Sequence, residues 1–569
     1  MPTQETTSRS DDHAAVEGPD AAGAESERRK WFRYTLPGLS VALLFACLSF
    51  TPSLLPRSGI IQGAVAGITA AIGYGLGVAG AWVWRMFADR GARPPSRRTW
   101  LIFAIVAAVA LLLSFLAGLR WQSEIRDLMG QDPPGIVAYL LLPVIAALLF
   151  VGLVALGRLL RKAYLGLSRL LIRVTSERAA RVVGFTAVAI ATWLVVSGVL
   201  IDGLMNAADR AFAAKDLITF EGVEEPTSDL RSGGPASVIA WDDLGREGRK
   251  FVATGPTIEQ ISDFTDGSAQ EPIRVFSGLA AADDTEGRAQ LALEDLRSMG
   301  GFDRDYLLIA TTTGSGWINP SAVDAFEYMI GGNSATVGMQ YSHLPSWISY
   351  LVDQEQARDA GRTLFDVVYG EWSDLPPDDR PTLIVFGESL GSFGGETAFS
   401  GEYDIANRTS AALFVGPPNF NTLYGSFVAD RDPGTHEVDP VYKDGRIVRF
   451  TNVPEDPAPP DGEPWQEESR TIYLVHPSDP IVWWSPNLLL TRPDWLEENR
   501  GRDVLDEMVW IPFVTFWQVT ADLPMATGVP PGHGHDYGGQ HVYGWADILQ
   551  LEGWTDADSE RLSEITRGE

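Results

Sequence analysis

Residues 382–396 read TLIVFGESLGSFGGE. The stretch Thr382–Phe386 is apolar and rich in strand-forming residues, as a buried strand requires. It runs into Gly387-Glu388-Ser389-Leu390-Gly391, a Gly-x-Ser-x-Gly sequence, and then into small residues that suit a closely packed helix. A serine at such a strand–turn–helix junction is pushed out of the sheet edge as a nucleophile. Gly387 and Gly391 leave room for neighbouring backbone, and the helix N-terminus behind the serine favours developing negative charge. In a chain with 57 glycines the five-residue pattern also arises by chance, so the flanking strand and helix carry the reading.

A nucleophilic serine needs a base, and the base needs an orienting acid. Of the seven histidines, His13 falls in a polar N-terminal tail, and His343, His436 and His476 sit beside other features. Three cluster in PPGHGHDYGGQHVYGW: His533, His535 and His541. His535, after Gly534, is the first candidate for the base and His533 the second. Three histidines also invite a metal reading, but no Glu or Cys partner stands at suitable spacing, so neither a metal nor a cofactor is implied. The acid is expected just after a late strand, between nucleophile and base. Asp479 in HPSDPIV, after a strand predicted at Thr471–Val475, has that place; Asp506 and Asp536 are weaker candidates. Two backbone N–H groups must hold an oxyanion. Leu390 supplies one, and the glycine-bearing loop after a strand at Tyr306–Thr311 offers Ser315 or Gly316 for the other.

Around these residues, predicted strands Ile273–Phe276, Ala335–Tyr341 and Ala411–Val415 alternate with helices Arg288–Ser298 and Gln356–Tyr369. Short apolar strands alternating with helices predict an α/β domain over 271–569 with a mostly parallel sheet covered on both faces. Residues 206–270 read as a connector and the edge of that domain. Between acid and base, IVWWSPNLLLTRPDW and MVWIPFVTFWQV set Trp483, Trp484, Trp495, Trp510 and Trp517 among apolar residues. They fit a membrane-facing lid or acyl-binding surface and an ordinary core equally well.

The other half of the chain is of a different kind. Residues 1–203 carry 20 Lys and Arg against 13 Asp and Glu, whereas residues 204–569 carry 24 against 61. So acidic a domain repels phosphates, which excludes nucleic acid as a partner. Residues 1–30 lack large apolar side chains and read as a disordered cytoplasmic tail. Residues 31–205 read as an all-α transmembrane bundle of about five helices. Its apolar runs are Phe32–Leu55, Ile60–Trp84, Trp100–Leu119, Gly135–Leu156 and Val182–Met205, each near the roughly 20 residues a bilayer core needs. The second is dense in Gly and Ala, as at a helix–helix interface. The lone cysteine, Cys47, lies inside the first run as a small packing residue. Basic residues precede the first run, follow the second (Arg85, Arg90, Arg93, Arg97, Arg98) and fill 158–181 between the fourth and fifth. The positive-inside rule then sets the N-terminus in the cytoplasm, and an odd number of spans sets the α/β domain outside; four or six would reverse it. The stretch 158–181, with Arg alternating with Leu and Ile, reads either as a helix on the inner membrane surface or as a basic loop helix.

The chain resembles the membrane-anchored α/β-hydrolases of actinobacteria, which join an N-terminal multi-span region to a C-terminal catalytic domain. The resemblance covers about residues 32–565 and rests on the multi-span start, TTTGSGWINP, GESLG, HPSDPIVWW and PPGHGHDYGG. It implies the α/β-hydrolase fold and a Ser-Asp-His triad, but no substrate. The expected function is that of a multi-pass cell-membrane serine hydrolase, acting outside the cytoplasm on an acylated small molecule or lipid. Acyl transfer by the same residues, and a non-catalytic lipid-handling scaffold, are the two other readings.

Overall fold

A computed structural model describes residues 34–89, 91, 94–132, 135–352, 354–452, 465 and 469–567; the tail expected over 1–30 lies outside them. Thr35 caps helix α1 (Leu36–Leu48), its hydroxyl accepting from the Gly38 N–H, and Pro37 sits in the first turn, where its missing N–H costs nothing. Pro52 and Pro56 then keep the helix from running on through the apolar stretch. Thirteen residues span about 20 Å, less than the roughly 30 Å hydrocarbon core. Four other helical segments are long and apolar enough to cross a membrane: Gly59–Ala88, Arg97–Leu128, Val137–Leu171 and Glu177–Asp216. The five apolar runs thus resolve into four such helices and one shorter one.

We label α2 (Gly59–Ala88), α3 (Arg97–Leu128), α4 (Leu142–Leu171) and α5 (Glu177–Leu194). Gly63, Gly67, Gly73 and Gly77 of α2 are contact points with its neighbours. A Cβ on Gly77 would lie 2.6 Å from the Pro37 carbonyl of α1, and one on Gly67 2.7 Å from the Ala146 carbonyl of α4. The stretch from Arg158 onward is the end of α4 itself, which runs unbroken to Leu171 before Ser176 caps α5. It is not a separate surface helix. A π-helical turn at Val195–Ile201 carries α5 on into a helix ending at Asp216.

The C-terminal domain is built on seven strands: β1 (Ile273–Ser277), β2 (Tyr306–Thr311), β3 (Ser334–Met339), β4 (Thr382–Glu388), β5 (Ala411–Val415), β6 (Val448–Thr451) and β7 (Arg470–Leu474). Their order is β1-β3-β2-β4-β5-β7-β6, and every pairing is parallel. Continuous burial along β1, β3 and β5 is what a sheet covered on both faces demands. Edge strand β6 escapes the sequence pattern because it has four residues, with Arg449 among them. In the register, Thr311 of β2 pairs Gly387 and Val415 of β5 pairs Glu388, so the carboxyl ends of β2, β4 and β5 meet at the Gly-x-Ser-x-Gly turn.

The helical region and the sheet domain share one core. Leu54 and Leu55, from the tail of the first apolar run, and Ile125 and Met129, from the end of α3, belong to the buried cluster that also contains Val385, Phe393 and Trp483. At this junction the Arg57 Nε donates to Asp522 Oδ1 at 2.9 Å, with both side chains fully buried. Asp522 also accepts from the Leu54 N–H and the Ser53 hydroxyl. The segment that leaves α1 is therefore a plug in the C-terminal domain.

Candidate active site

We label the short helices α6 (Ser346–Val352) and α7 (Leu390–Glu396). Ser389 stands between β4 and α7 at φ +55°, ψ −125°, a backbone conformation that costs a non-glycine residue about 1–3 kcal/mol. Its neighbours hold it there. The Ser389 N–H donates to the Val415 carbonyl (2.9 Å), and its own carbonyl accepts from the Ser392 hydroxyl (2.7 Å). A Cβ on Gly387 would run into the Gly391 carbonyl, and one on Gly391 into the Thr311 carbonyl. Both glycines are needed because backbone, which cannot rotate away, lies against them. Ser389 is only 6% exposed.

Asp479 follows β7 and opens a one-turn helix: its Oδ1 accepts from the Ile481 N–H at 2.8 Å. Its Oδ2 faces His535 Nδ1 at 2.6 Å and accepts from the Tyr537 hydroxyl at 2.9 Å. The His535 ring lies over Gly416, where an added Cβ would be 2.6 Å from Cε1. Gly416 directly follows Val415, the residue that receives the Ser389 N–H, and its own N–H donates to the Leu474 carbonyl. Ser389, Asp479 and His535 are thus gathered around the carboxyl ends of β4, β5 and β7. Burial alone lowers the basicity of His535, but the charge and hydrogen bond of Asp479 outweigh it and raise its pKa above the ordinary value.

The other two histidines of the cluster are placed elsewhere. His533 Nδ1 faces Asp503 Oδ2 at 2.9 Å, not Asp479. His541 is wholly buried, with Nδ1 on the Gly538 carbonyl and Nε2 on Glu388 Oε2, both at 2.8 Å. Asn319 Nδ2 donates to the same Glu388 oxygen at 2.7 Å. Burial pushes the Glu388 carboxyl up, yet His541, His535 and Asn319 more than offset it and hold its pKa below the usual range. The residue beside the serine therefore belongs to a buried acid–imidazole pair beneath the turn. Asp536 receives the Gly538 N–H, and the Asp506 side chain is exposed.

Sequence reasoning did not reach several supports of the site. His476 Nδ1 meets the Gly534 carbonyl (2.8 Å), and its ring stacks on Tyr537 with centroids 4.0 Å apart, which braces the His535 loop. Asp503 takes the Ser478 hydroxyl, and Ser478 in turn accepts the Gly534 N–H at 2.8 Å. No local motif announces these contacts. The glycine of Gly416-Pro417-Pro418, directly after a strand, was the one available hint. Gly316, expected as an oxyanion donor, lies in a turn after β2. Its N–H closes a turn onto the Thr313 carbonyl (2.9 Å), and the residue packs on Phe276 and Gln340. Ser315 sits half-buried in the same turn. Thr312 is closer to the elbow: its carbonyl carbon would lie 3.5 Å from a Cβ on Gly391. Among the described residues no group of histidine, cysteine and carboxylate side chains is arranged to hold a metal ion.

Comparison with known proteins agrees with this architecture. A model of the alpha/beta-hydrolase family matches residues 273–562, and one for the N-terminus of an alpha/beta-hydrolase family matches residues 50–256. No curated protein and no solved structure matches the chain. On the family match and the parallel sheet together, the chain belongs to the alpha/beta-hydrolase family, with a helical N-terminal region ahead of its hydrolase domain.

Proposed function

We propose that the protein is a membrane-anchored serine hydrolase that cleaves acyl esters through Ser389, His535 and Asp479. The observation that carries this reading is the Asp479–His535 hydrogen bond, held over Gly416 beside a serine at positive φ. With Nδ1–H engaged by Asp479, Nε2 is the nitrogen left to take the Ser389 proton. Ser389 Oγ forms a bond to the acyl carbonyl carbon, and the ester C–O bond breaks. The leaving alkoxide receives the proton from His535. Water then gives a proton to His535 and bonds through its oxygen to the acyl carbon; the acyl–Oγ bond breaks, the carboxylic acid leaves, and His535 returns the proton to Ser389 Oγ. The Leu390 N–H, at the start of α7, is one oxyanion donor. The loop directly after β2, where Thr312 lies against Gly391, is our candidate source of the second.

The geometry of the helices supports the hydrolase domain lying outside the cytoplasm. The start of α2, the end of α3 and the turn after α1 all abut the hydrolase domain. The basic residues lie at the opposite ends, Arg85 at the end of α2 and Arg158 to Arg169 toward the end of α4. The positive-inside rule then puts those ends in the cytoplasm without any count of spans. Acyl transfer is the second reading, favoured by the near-complete burial of Ser389, since a dry site protects an acyl-enzyme from water.

A fluorophosphonate probe tests the central claim. The full chain in detergent should be labelled, and Ser389→Ala should not be. Equal labelling of both removes Ser389 as the nucleophile. Product analysis with and without added alcohols then separates hydrolysis from transfer.

A further inference from the structure

The helix that holds the buried ion pair, α8 (Val514–Asp522), does not stop at the junction. Read backward from Asp522, it follows the segment that leaves α1 and packs on α2. Asp522 meets Ser53 and Arg57 in the turn; Gln518 Nε2 donates to the Thr51 carbonyl at 2.8 Å; Phe513, just before the helix, faces Phe45 with ring centroids 6.5 Å apart. Phe45 lies three residues inside the end of α1, about 4.5 Å below it at 1.5 Å per residue. Beside it Leu44 is 54% exposed on the outer face of α1.

Two apolar segments of the hydrolase domain meet at this depth, Leu488–Leu490 and Val509–Phe513. They are tied together by the Trp510 indole N–H on the Leu488 carbonyl (2.8 Å) and the Phe513 N–H on the Leu489 carbonyl (3.0 Å). Their outer residues are bare: Leu490 is 65% and Val509 47% exposed. Trp483 and Trp495, from the same tryptophan-rich region, are by contrast core residues. Behind the bare edge an unbroken run of aromatic rings leads to the elbow. Phe516 meets Trp484 at 5.9 Å, Trp484 meets Tyr350 of α6 at 5.9 Å, Tyr350 meets Phe420 at 4.9 Å, and Phe420 meets Phe393 of α7 at 4.9 Å. The Tyr350 hydroxyl is buried and has no partner among the described residues.

We infer that residues 488–490 and 509–513 form a wedge that enters the leaflet on the hydrolase domain's side. The substrate class is then a lipid of that leaflet, its acyl ester reaching Ser389 along the aromatic run. The wedge continues the lipid-facing surface of α1, so the occupant of its bare face is acyl chain, not another protein. The substrate half rests on Ser389 being the nucleophile; the wedge half does not.

The test has two arms, both on the full chain reconstituted in phosphatidylcholine–phosphatidylglycerol vesicles. In the first, a nitroxide is placed at Leu490→Cys in a Cys47→Ser background, with Tyr403→Cys, on an exposed helix of the hydrolase domain, as the water-side reference. Collision with oxygen should exceed collision with a water-soluble nickel complex at Leu490 and not at Tyr403. A Leu490 label as water-accessible as the reference overturns the wedge. In the second arm, Leu490→Glu with Val509→Glu should lower the ratio of vesicle-borne long-chain ester turnover to soluble short-chain ester turnover by about tenfold, because carboxylates resist entering hydrocarbon. An unchanged ratio overturns the lipid-substrate half. If no form reacts with fluorophosphonate, it is the hydrolase reading that fails, while the nitroxide arm still decides the wedge.

Discussion

As the proposed base, His535 acts only while its ring is neutral, and Asp479 holds its pKa above the ordinary value of about 6.5. Below that raised pKa the ring carries a proton and cannot accept another from Ser389. Turnover of a soluble ester should therefore fall on the acid side with a limb above pH 6.5. Asp479→Asn removes the charge that raises the pKa, so the limb should move to lower pH, and kcat should fall by about 10³- to 10⁴-fold because the imidazole loses its orientation. A limb unmoved by Asp479→Asn would take Asp479 out of the site. The neighbouring imidazole provides a contrast. His533→Ala should retain fluorophosphonate labelling, because its ring is committed to Asp503, whereas His535→Ala should lose it. The reverse result would exchange their roles. Choosing between these two histidines was beyond the sequence: they are two residues apart in one loop, and only the acid each meets tells them apart.

The elbow is decided by how closely elements approach. Gly391→Ala would drive a methyl group into the Thr311 carbonyl, and either β2 or α7 must give way. Overpacking against backbone costs about 1–3 kcal/mol. Thermal unfolding in detergent should show a clear drop in Tm, with slower labelling of Ser389. Gly425→Ala is the matched control: nothing lies within 4 Å of its Cβ, so it should leave Tm unchanged or raise it slightly. At this scale the sequence was highly legible. Tyr306–Thr311 and Ala411–Val415 form strands over those same residues, because a run of buried β-formers between turn residues is a local signal. The edge strand β6 was not, since four residues with an arginine among them carry too little pattern.

At the scale of the molecule, the helical region and the hydrolase domain share a core at their junction, and a buried ion pair helps join them. Arg57→Ala leaves the Asp522 charge buried without its cation, although the Ser53 hydroxyl and the Leu54 N–H stay with it. Such a loss costs about 3–5 kcal/mol, while replacing both partners by apolar residues of similar volume is far milder. Arg57→Ala should lower Tm in detergent more than the paired Arg57→Met, Asp522→Leu variant does. Equal losses would mean that the charges matter less than the shapes. The junction also lies next to the His535 loop. Leu55 would touch a Cβ on Gly534 at 3.4 Å, and the Ala526 carbonyl, four residues beyond Asp522, accepts the His535 N–H at 2.7 Å.

By itself the sequence determined the two-part plan, the parallel α/β domain, the elbow at Ser389 and the apolar helices before it. Each of these is written in a short stretch: a periodicity, a turn, a run of residues that water rejects. Only the tertiary structure decided that Asp479 meets His535, that Glu388 meets His541, and that the first apolar run is part helix and part plug. Arg57 and Asp522 stand 465 positions apart. A contact of that kind depends on where two distant elements come to rest, and no property of either neighbourhood encodes the other's arrival.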